Sequence, residues 1–308
     1  MRVAILGAGP AGMSCANALL TFGLEPLVIE RSPHVGGIQR ANFHPNLWML
    51  GIPGETGIQI TERLAQHYFD LPVTTLLATR VLAVHRDDGG FRLHLAGPGG
   101  ESVRYARALV LATGSRPQAT PELEALSRQS ERVVIGPLSE RIRDEVRGAR
   151  VLILGGGDNA LDHALYLAER GNRATVCARG RLSARNQFQE ACRARPEIEL
   201  ISGQTPSTLA LDGEGIRADW PERTEHYDWL LVMYGYRPNS DILARFDVDI
   251  RPVLTVSGHI DVDRRQQTDI AGLYAAGDIT DSLQPSVPTA IAQGLAAAKA
   301  IEQDLARG

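Results

Sequence analysis

The first 31 residues, MRVAILGAGPAGMSCANALLTFGLEPLVIER, constrain the fold more than any other stretch of this chain. They predict an apolar strand, a glycine turn, a helix over residues 11–22 and a second apolar strand that ends in Glu30. Gly7, Gly9 and Gly12 form a G-x-G-x-x-G pattern between the first strand and the helix. Such glycines permit a tight turn, close approach of a pyrophosphate to the backbone, and close packing of helix on strand. The stretch therefore predicts a dinucleotide-binding unit in which Glu30 accepts hydrogen bonds from ribose hydroxyls.

The same pattern returns at residues 151–179, VLILGGGDNALDHALYLAERGNRATVCAR, which align with residues 3–31 without a gap. The alignment puts Gly155, Gly157 and Ala160 at the three positions of the first glycine pattern. An internal duplication of this kind predicts an α/β chain with two mononucleotide-binding units. It implies either two dinucleotide sites, or one dinucleotide site and one that has been lost.

The two copies differ where their second strands end. The first copy has Glu30, whereas the equivalent position of the second is Ala178, followed by Arg179. An acid repels a 2′-phosphate while arginines attract one, and Arg181 and Arg185 follow closely. The first copy is thus predicted to bind a cofactor with free ribose hydroxyls, and the second to bind NADP(H). The alternative is that these arginines belong to a solvated loop.

Composition and charge exclude several classes of function. The 308 residues carry a formal net charge of −4, with a pI near 6.1, so neither a nucleic-acid footprint nor a membrane-surface patch is indicated. No apolar run approaches the roughly 18 residues of a membrane helix. The three cysteines are far apart and lack metal-ligand spacing, which favours a reducing compartment. Because the first strand begins at residue 2, no signal or transit peptide is expected, and the predicted location is the cytoplasm.

Hydrophobic alternation and turn signals predict the elements around the two copies. Residues 31–54 are predicted to form a loop that wraps a ligand, and residues 115–150 a connector with one surface helix. The remaining predictions are a helix over 62–69, a three-stranded meander at 81–85, 91–95 and 102–105, strands at 108–112, 229–233 and 272–276, a helix over 187–194, a second meander at 197–201, 208–211 and 215–219, and a final helix over 287–305.

Several short motifs occur in order along the chain: GAGPAG at 7–12 with Glu30, Gly36-Gly37, ATG at 112–114, GGGDNA at 155–160, and YAAGDI at 274–279 followed by AQGLAAA at 292–298. The combination resembles the two-dinucleotide flavoprotein disulfide reductases and, in length and order, their thioredoxin-reductase branch. The resemblance covers nearly the whole chain. It implies an α/β fold of two Rossmann-like, three-layer ββα domains. An NAD(P)H-binding domain, residues 118–239, would be inserted into a split FAD-binding domain, residues 1–117 and 240–308.

The resemblance also implies which residues bind the two cofactors, FAD and NADPH. Asp278 would contact the ribityl chain, and the start of the last helix would lie near the flavin and stabilise its reduced anionic form. The residues implied for FAD are Gly7, Gly9, Pro10, Ala11, Gly12, Glu30, Arg31, Gly37, Ile38, Val81, Ala112, Thr113, Gly114, Gly277, Asp278, Pro288 and Thr289. Those implied for NADPH are Gly155, Gly157, Asp158, Asn159, Ala160, Arg179, Arg181 and Arg185. A homodimer is a further expectation from the family.

One departure from the family pattern bears on the chemistry. Thioredoxin reductases carry a redox C-x-x-C shortly before the second glycine pattern, and the corresponding residues 138–141 contain no cysteine. Electrons from NADPH are therefore expected to leave the flavin directly for an external acceptor. The cysteine-less ferredoxin–NADP reductases of this branch suggest ferredoxin or flavodoxin as that acceptor. The bacillithiol disulfide reductases suggest a low-molecular-weight disulfide, and quinones form a third class.

Two further features leave alternatives open. The ferredoxin reductases usually carry a C-terminal extension, whereas this chain ends at Gly308 directly after its last helix, which weakens that assignment. The arginines of the second copy also depart from the family's H-R-R pattern. A non-enzymatic flavoprotein or redox sensor with a degenerate NADPH site is therefore an alternative, as is a quinone reductase. A flavin monooxygenase is disfavoured because the motif typical of that class is missing between the two glycine patterns.

No catalytic side chain and no metal site is predicted. Hydride transfer to a flavin needs no general acid or base, and the sequence offers no Ser/His/Asp or Cys/His constellation. Cys15 and Cys177 are interpreted as core residues, the usual place of a small soft side chain. Cys192 lies on a polar helix and is expected to be an exposed bystander.

Overall fold

The computed structural model describes residues 1–46 and 48–307. The chain divides into two compact units: Met1–Arg116 with Pro238–Gly308 form the first, and Pro117–Arg237 form the second. The α-helices are α1 (Pro10–Thr21), α2 (Gly57–Phe69), α3 (Pro121–Gln129), α4 (Glu140–Asp144), α5 (Asp158–Ala168), α6 (Asn186–Arg193) and α7 (Val287–Leu305). Short 3₁₀ helices cover Gly37–Ala41, Ser240–Arg245 and Val248–Ile250. A search of the described residues finds no helix that is long and apolar enough to cross a membrane.

The strands, in chain order, are β1 (Arg2–Leu6), β2 (Glu25–Ile29), β3 (Thr74–Leu76), β4 (Arg80–Asp87), β5 (Gly90–Gly97), β6 (Gly100–Ala106), β7 (Ala108–Leu111), β8 (Ser115–Pro117), β9 (Val133–Ile135), β10 (Arg150–Leu154), β11 (Arg173–Ala178), β12 (Ile198–Ser202), β13 (Thr208–Asp212), β14 (Gly215–Asp219), β15 (Thr224–Tyr227), β16 (Trp229–Val232), β17 (Tyr236–Pro238) and β18 (Leu273–Ala275).

A parallel five-stranded sheet, in the order β18-β7-β1-β2-β3, forms the centre of the first unit. Its inner strands are buried apolar runs, as expected for a parallel sheet that is covered on both faces. Helices α1 and α7 cover one face. The antiparallel meander β4-β5-β6 covers the other through Phe91, Leu93 and Leu95. The three-layer ββα arrangement predicted from the sequence is confirmed.

Helices α1 and α7 pack in close contact because glycine faces backbone where they meet. A Cβ added to Gly294 of α7 would overlap the carbonyl oxygen of Ala11 and lie 3.0 Å from the amide nitrogen of Cys15. Gly277, just after β18, has a φ of +82°, and a Cβ there would lie 2.9 Å from Ala11 Cβ. These glycines bring the start of α1, the end of β18 and the body of α7 together at one edge of the sheet.

The second unit repeats this plan with its own parallel sheet, in the order β12-β11-β10-β16-β9. Helix α5 packs against β10 and β11. The antiparallel meander β13-β14-β15 covers one face of the sheet, where Ile216 and Ala218 are buried with Leu152 and Leu230.

The predicted second meander is wrong in its first strand, because β12 pairs with β11 at the edge of the parallel sheet. Its mixed burial resembles that of a meander strand, and alternation alone does not distinguish the two. The last strand of the real meander, β15, has the polar sequence TEHY and gave no apolar signal. Strand β9 lies in the segment that was predicted to be only a connector and a helix.

Helix α2 begins at Gly57 rather than at residue 62, because a capping box extends its N-terminus. Thr56 Oγ1 accepts a hydrogen bond from Gln59 N (3.3 Å), and Gln59 Oε1 accepts one from Thr56 N (2.9 Å). This reciprocal pair satisfies two amides that the helix itself leaves free. The T-x-x-Q signal was present in the sequence, but apolar spacing alone did not detect it.

The chain passes between the two units twice, through β8 and β17, which pair as a two-stranded sheet. Within the first unit, Asn239, which follows β17, forms hydrogen bonds with the residues that precede β8. Its backbone N–H donates to Gly114 O (2.9 Å), and its Nδ2 donates to Thr113 O (2.7 Å). Asn239 Oδ1 accepts a hydrogen bond from Arg116 Nη1 (2.7 Å). The two ends of the first unit therefore lie side by side.

Candidate functional site

The first glycine turn has the geometry that its sequence pattern predicts. Gly7 has a φ of +107°, and a Cβ there would overlap the carbonyl oxygen of Ala112. A Cβ on Gly12 would overlap Gly7 O and lie 3.1 Å from Gly7 C, so α1 can approach β1 only without a side chain at this position. Gly7 N donates to Ile29 O (2.8 Å), which ties the turn to the end of β2. Neither glycine can be replaced without moving backbone.

The carboxylate of Glu30 lies at the mouth of this turn. It accepts hydrogen bonds from Ala8 N (2.8 Å) and Ser32 N (2.8 Å), which fix its position beside the glycine pattern. A carboxylate has about four acceptor sites, so two remain for further donors such as ribose hydroxyls. The neighbouring Arg31 is exposed. Thr79 N–H donates to Glu30 O (2.9 Å), which places the start of β4 next to Glu30. Val81 is the second residue of β4.

A cradle for a phosphate group is formed by backbone alone. Gly36 N donates to Ala8 O (2.7 Å), and a Cβ on Gly37 would lie 3.3 Å from Gly9 Cα. Ile38 follows in the 3₁₀ helix. Gly9 is the N-cap of α1 and Pro10 occupies the first turn, where no side chain caps the helix. The open N–H groups and the helix dipole at this end are suited to bind a pyrophosphate.

The wall opposite Glu30 consists of residues that follow β7 and β18. After β7 come Ala112, Thr113 and Gly114, and Thr113 Oγ1 is buried with no hydrogen-bond partner in the described part of the chain. After β18 comes Asp278, whose carboxyl oxygen lies 3.4 Å from Ser115 Oγ. Burial raises the pKa of Asp278 above its usual range. An orphan hydroxyl and a poorly solvated carboxyl at one edge are the groups that a polar ligand would satisfy, so this edge fits FAD.

Helix α7 begins beside this wall. Gln293 Oε1 accepts a hydrogen bond from Gly277 N (2.8 Å), and its Nε2 donates to Thr280 Oγ1 (3.1 Å), which fixes the turn that carries Asp278. Pro288 and Thr289 form the first turn of α7, where Ser286 Oγ accepts from Thr289 N (3.3 Å). The anchoring role of Gln293 was not predicted, although the AQG motif was.

The second glycine turn reproduces the first in detail. Gly155 has a φ of +139°, and a Cβ there would overlap Met233 O, as one on Gly7 would overlap Ala112 O. Gly155 N donates to Cys177 O (2.9 Å), the counterpart of the bond from Gly7 to Ile29. Gly157 is the N-cap of α5, whose first turn includes Asp158, Asn159 and the buried Ala160. The internal duplication is therefore present in the backbone as well as in the sequence.

The three arginines predicted near this turn have different surroundings, although all are exposed. Arg185 pairs with Asp158: its Nε lies 2.7 Å from one carboxylate oxygen and its backbone N lies 2.8 Å from the other. The guanidinium of Arg179 lies over the ring of Tyr234, with Cζ 5.7 Å from the ring centroid. Arg181 makes no hydrogen bond or ion pair with any residue of 1–46 or 48–307. Tyr234 was not predicted to be a site residue, although the ATG and MYG triplets both follow a central parallel strand.

All three cysteines are unpaired and fully buried. Burial raises the pKa of Cys15 and of Cys177 to about 12, and that of Cys192 to about 11. The prediction that Cys192 is exposed is wrong. Its Sγ lies 3.5 Å from Leu161 O, because the buried side of the amphipathic helix α6 faces α5. No cysteine of this chain is placed as a reactive thiol.

The family model of the pyridine nucleotide-disulphide oxidoreductases matches residues 1–294. A ferredoxin–NADP reductase of Limosilactobacillus fermentum is 29% identical over 293 residues, which cover 90% of this chain and 84% of that protein. The thioredoxin reductase of T. acidophilum superposes with a TM-score of 0.82 at 22% identity, covering 99% of this chain and 98% of that one. The bacillithiol disulfide reductase of Bacillus cereus superposes with a TM-score of 0.79 at 19% identity, covering 99% and 100%.

The two solved structures show the shared fold, and the family model covers both glycine turns and the start of α7. The resemblance stated from the motifs is confirmed. The chain therefore belongs to the pyridine nucleotide-disulphide oxidoreductase family and is an NAD(P)H-dependent flavoprotein reductase whose cofactors are FAD and NADPH.

Proposed function

We propose that this reductase passes electrons from NADPH through FAD directly to an external acceptor, and that the acceptor is a small redox protein such as ferredoxin or flavodoxin. The carrying observation is the state of the cysteines, which are buried, unpaired and of raised pKa. A dithiol relay needs two adjacent accessible thiols, and this chain offers none. The name of the L. fermentum relative, ferredoxin–NADP reductase, supports a protein acceptor.

The first unit is proposed to bind FAD. Glu30 would hold the adenosine ribose, the backbone of Gly9 and Gly37 would hold the pyrophosphate, and Asp278 would hold the ribityl hydroxyls. The support is the fit of the residues to such a group: an anchored carboxylate, an open helix N-terminus and a buried, poorly paired acid. When bound, the flavin accepts a hydride and releases electrons singly or in pairs. The other residues predicted from the sequence to bind FAD remain part of this proposal.

The second unit is proposed to bind NADPH, with the pyrophosphate at the start of α5 and the 2′-phosphate near Arg179 and Arg181. Ala178 in place of an acid removes the repulsion that Glu30 would exert on a 2′-phosphate. Arg185 is proposed to act partly through Asp158, because their ion pair fixes the end of the segment 179–185 on α5. The domain boundaries predicted from the sequence, at residues 117 and 240, remain part of this proposal.

The test is a two-stage experiment on the purified protein. Flavin absorbance near 450 nm, roughly the band of oxidised flavin, is expected at about one flavin per chain. Rapid anaerobic mixing with NADPH is expected to bleach this flavin absorbance. The reduced protein is then mixed in a stopped-flow instrument with ferredoxin, flavodoxin, a low-molecular-weight disulfide and a quinone. Fast reoxidation by a redox protein supports the proposal, whereas fast reoxidation only by the disulfide or the quinone overturns the choice of acceptor.

The same experiment separates this proposal from the non-enzymatic alternative. A sensor with a degenerate NADPH site would bind flavin, and NADPH would not bleach that flavin.

Two finer proposals concern assembly and location. The protein is proposed to be a homodimer, which is tested by comparing its sedimentation mass with the 33.4 kDa of one chain. It is proposed to be cytoplasmic, and its three unpaired cysteines support that location.

A further inference from the structure

Arg179 and Tyr234 meet across the second glycine turn. Strands β11 and β16 flank β10 on opposite sides, so about 9–10 Å separates their backbones. Arg179 follows β11 and Tyr234 follows β16, yet the guanidinium lies 5.7 Å from the centre of the ring. The Arg179 side chain therefore extends from the end of β11 over the end of β10 toward β16. It does not extend the other way, toward the edge strand β12.

Both side chains lie on the face of the sheet that the meander covers. Tyr234 packs against the buried cluster that includes Leu154, Cys177 and Val232. Arg179 follows Cys177 by two residues, and Tyr234 follows Val232 by two, which is the spacing of side chains on one face. Burial raises the pKa of Tyr234, while the positive charge of Arg179 opposes that rise. The ring is thus half-buried against this cluster, whereas its partner Arg179 is exposed.

The first unit indicates where the second nucleotide's ribose would lie. There the Glu30 carboxylate bonds to Ala8 N, between the ends of β1 and β2. The equivalent place in the second unit lies beside Ala178 and Gly156, between the ends of β10 and β11. The position equivalent to Tyr234 is Thr113, because the same contact of glycine with carbonyl occurs at Gly7 and at Gly155. Tyr234 is therefore on the far side of β10 from the ribose, and it draws Arg179 away from a 2′-phosphate.

We propose that Tyr234 is a specificity-determining residue that holds Arg179 in a reserve position, from which a 2′-phosphate must release it. This inference rests on the proposed NADPH site. Stacked on the ring, Arg179 is held away from the place that a 2′-phosphate would occupy. Released, it contributes only to NADPH. The stack thus lowers the preference for NADPH below that of the same site without the ring.

The size of the effect follows from the exposure of the pair. A cation over a tyrosine at an exposed site is held weakly, and loss of such a contact corresponds to about a two- to fivefold change in affinity. A ligand that binds Arg179 only when its side chain has left the Tyr234 ring must break that contact first, so its apparent affinity is lowered by that factor. A ligand without a 2′-phosphate does not need the released arm and is not penalised.

The test uses the flavin-loaded protein and two probes, 2′,5′-ADP and 5′-AMP, in calorimetric titrations. Tyr234→Leu is expected to bind 2′,5′-ADP about two- to fivefold more tightly than the unchanged protein, with 5′-AMP affinity unaltered. Tyr234→Phe keeps the ring and is the matched control, expected to behave like the unchanged protein. In an Arg179→Gln background, Tyr234→Leu is expected to have no effect on 2′,5′-ADP. Weaker or unchanged binding of 2′,5′-ADP by Tyr234→Leu overturns the proposal.

A second readout does not depend on the leucine variant folding. The protein is labelled with 3-fluorotyrosine, and the Tyr234 resonance is identified by its loss in Tyr234→Phe. It is expected to shift with 2′,5′-ADP and not with 5′-AMP, because only the former removes the guanidinium from the ring. Equal shifts with both probes, or none, refute the reserve position. These titrations do not involve flavin reduction, so the reserve position and the NADPH reductase activity can fail separately.

Discussion

Replacement of Gly294 by alanine tests whether the contact between α1 and α7 controls flavin binding. The added Cβ would overlap Ala11 O, and it would lie 3.1 Å from Ala11 C and 3.0 Å from Cys15 N. Ordinary contacts of a Cβ begin at 3.4 Å, and all three obstructing atoms are backbone, so no side chain can rotate away. The two helices have to separate.

The expected free-energy change combines two opposing terms. Overpacking of a filled contact costs about 1–3 kcal/mol, and backbone on both sides puts this position at the upper end. Alanine in a helix interior gains about 1 kcal/mol over glycine, which offsets part of the cost. The net loss of about 2 kcal/mol corresponds to a fall in Tm of roughly 4–8 °C for a unit of this size. Because α1 carries the glycine turn, the flavin content after gel filtration is expected to fall as well.

The matched control is Gly99→Ala. Gly99 lies in the same unit, its φ is outside the left-handed region, and a Cβ there meets no atom within 4 Å. It is expected to leave both Tm and the ratio of flavin to protein absorbance unchanged. If Gly294→Ala matches Gly99→Ala in both measurements, the helices have room to adjust, and the close contact does not position the flavin site.

Three further predictions concern the second site, the thiols and the buried acid. Arg179→Ala is expected to raise the KM for NADPH more than that for NADH, and equal changes would remove its 2′-phosphate role. Essentially none of the three thiols, Cys15, Cys177 and Cys192, is expected to react with Ellman's reagent at pH 8 before unfolding, because burial both shields them and raises their pKa; rapid reaction of Cys192 would contradict its placement. Asp278→Asn is expected to stabilise the flavin-free protein at pH 7 and to weaken flavin retention, as measured by urea unfolding and absorbance.

The pH dependence of the last variant has a definite sign. Burial raises the pKa of Asp278 in the folded state, so folding favours the protonated acid. No penalty exists below the ordinary pKa of 3.8, and the penalty grows as pH rises through the raised pKa. The stabilisation by Asp278→Asn should therefore increase over this window and level off above it. A gain that is the same at pH 4 and pH 7 would mean that ionisation of this carboxyl does not matter.

Much of the fold was predictable because two long stretches obey strong local rules. The glycine turns combine apolar strands, positive φ and close backbone contacts that few other sequences satisfy, and the last helix, α7, was predicted over the same residues that it occupies. Strand β12 and the side chain of Cys192 were misjudged for the opposite reason. Their placement depends on what packs against them, and the pattern of a short half-buried segment does not contain that information.

The candidate site was predictable to a similar extent. Gly7, Glu30 and Asp278 carry signals in their own residue types, and the structure brings Glu30 and the glycine turn into hydrogen-bond contact. Tyr234 was overlooked because its relevance depends on a neighbour two strands away, at Arg179. Contacts of this kind arise from sheet order, which a single sequence specifies only through its whole fold.

The hydrogen bonds of Asn239 have a consequence for how the chain can be divided. Gly114 O and Asn239 N are 2.9 Å apart, so the two crossings occur at one point of the first unit's surface. Removal of residues 117–237 would leave two ends that a turn of a few residues could join. The first unit is in this sense one domain that the sequence interrupts once, and the second unit is inserted at that interruption. Such an arrangement permits exchange of one nucleotide-binding module without redesign of the other.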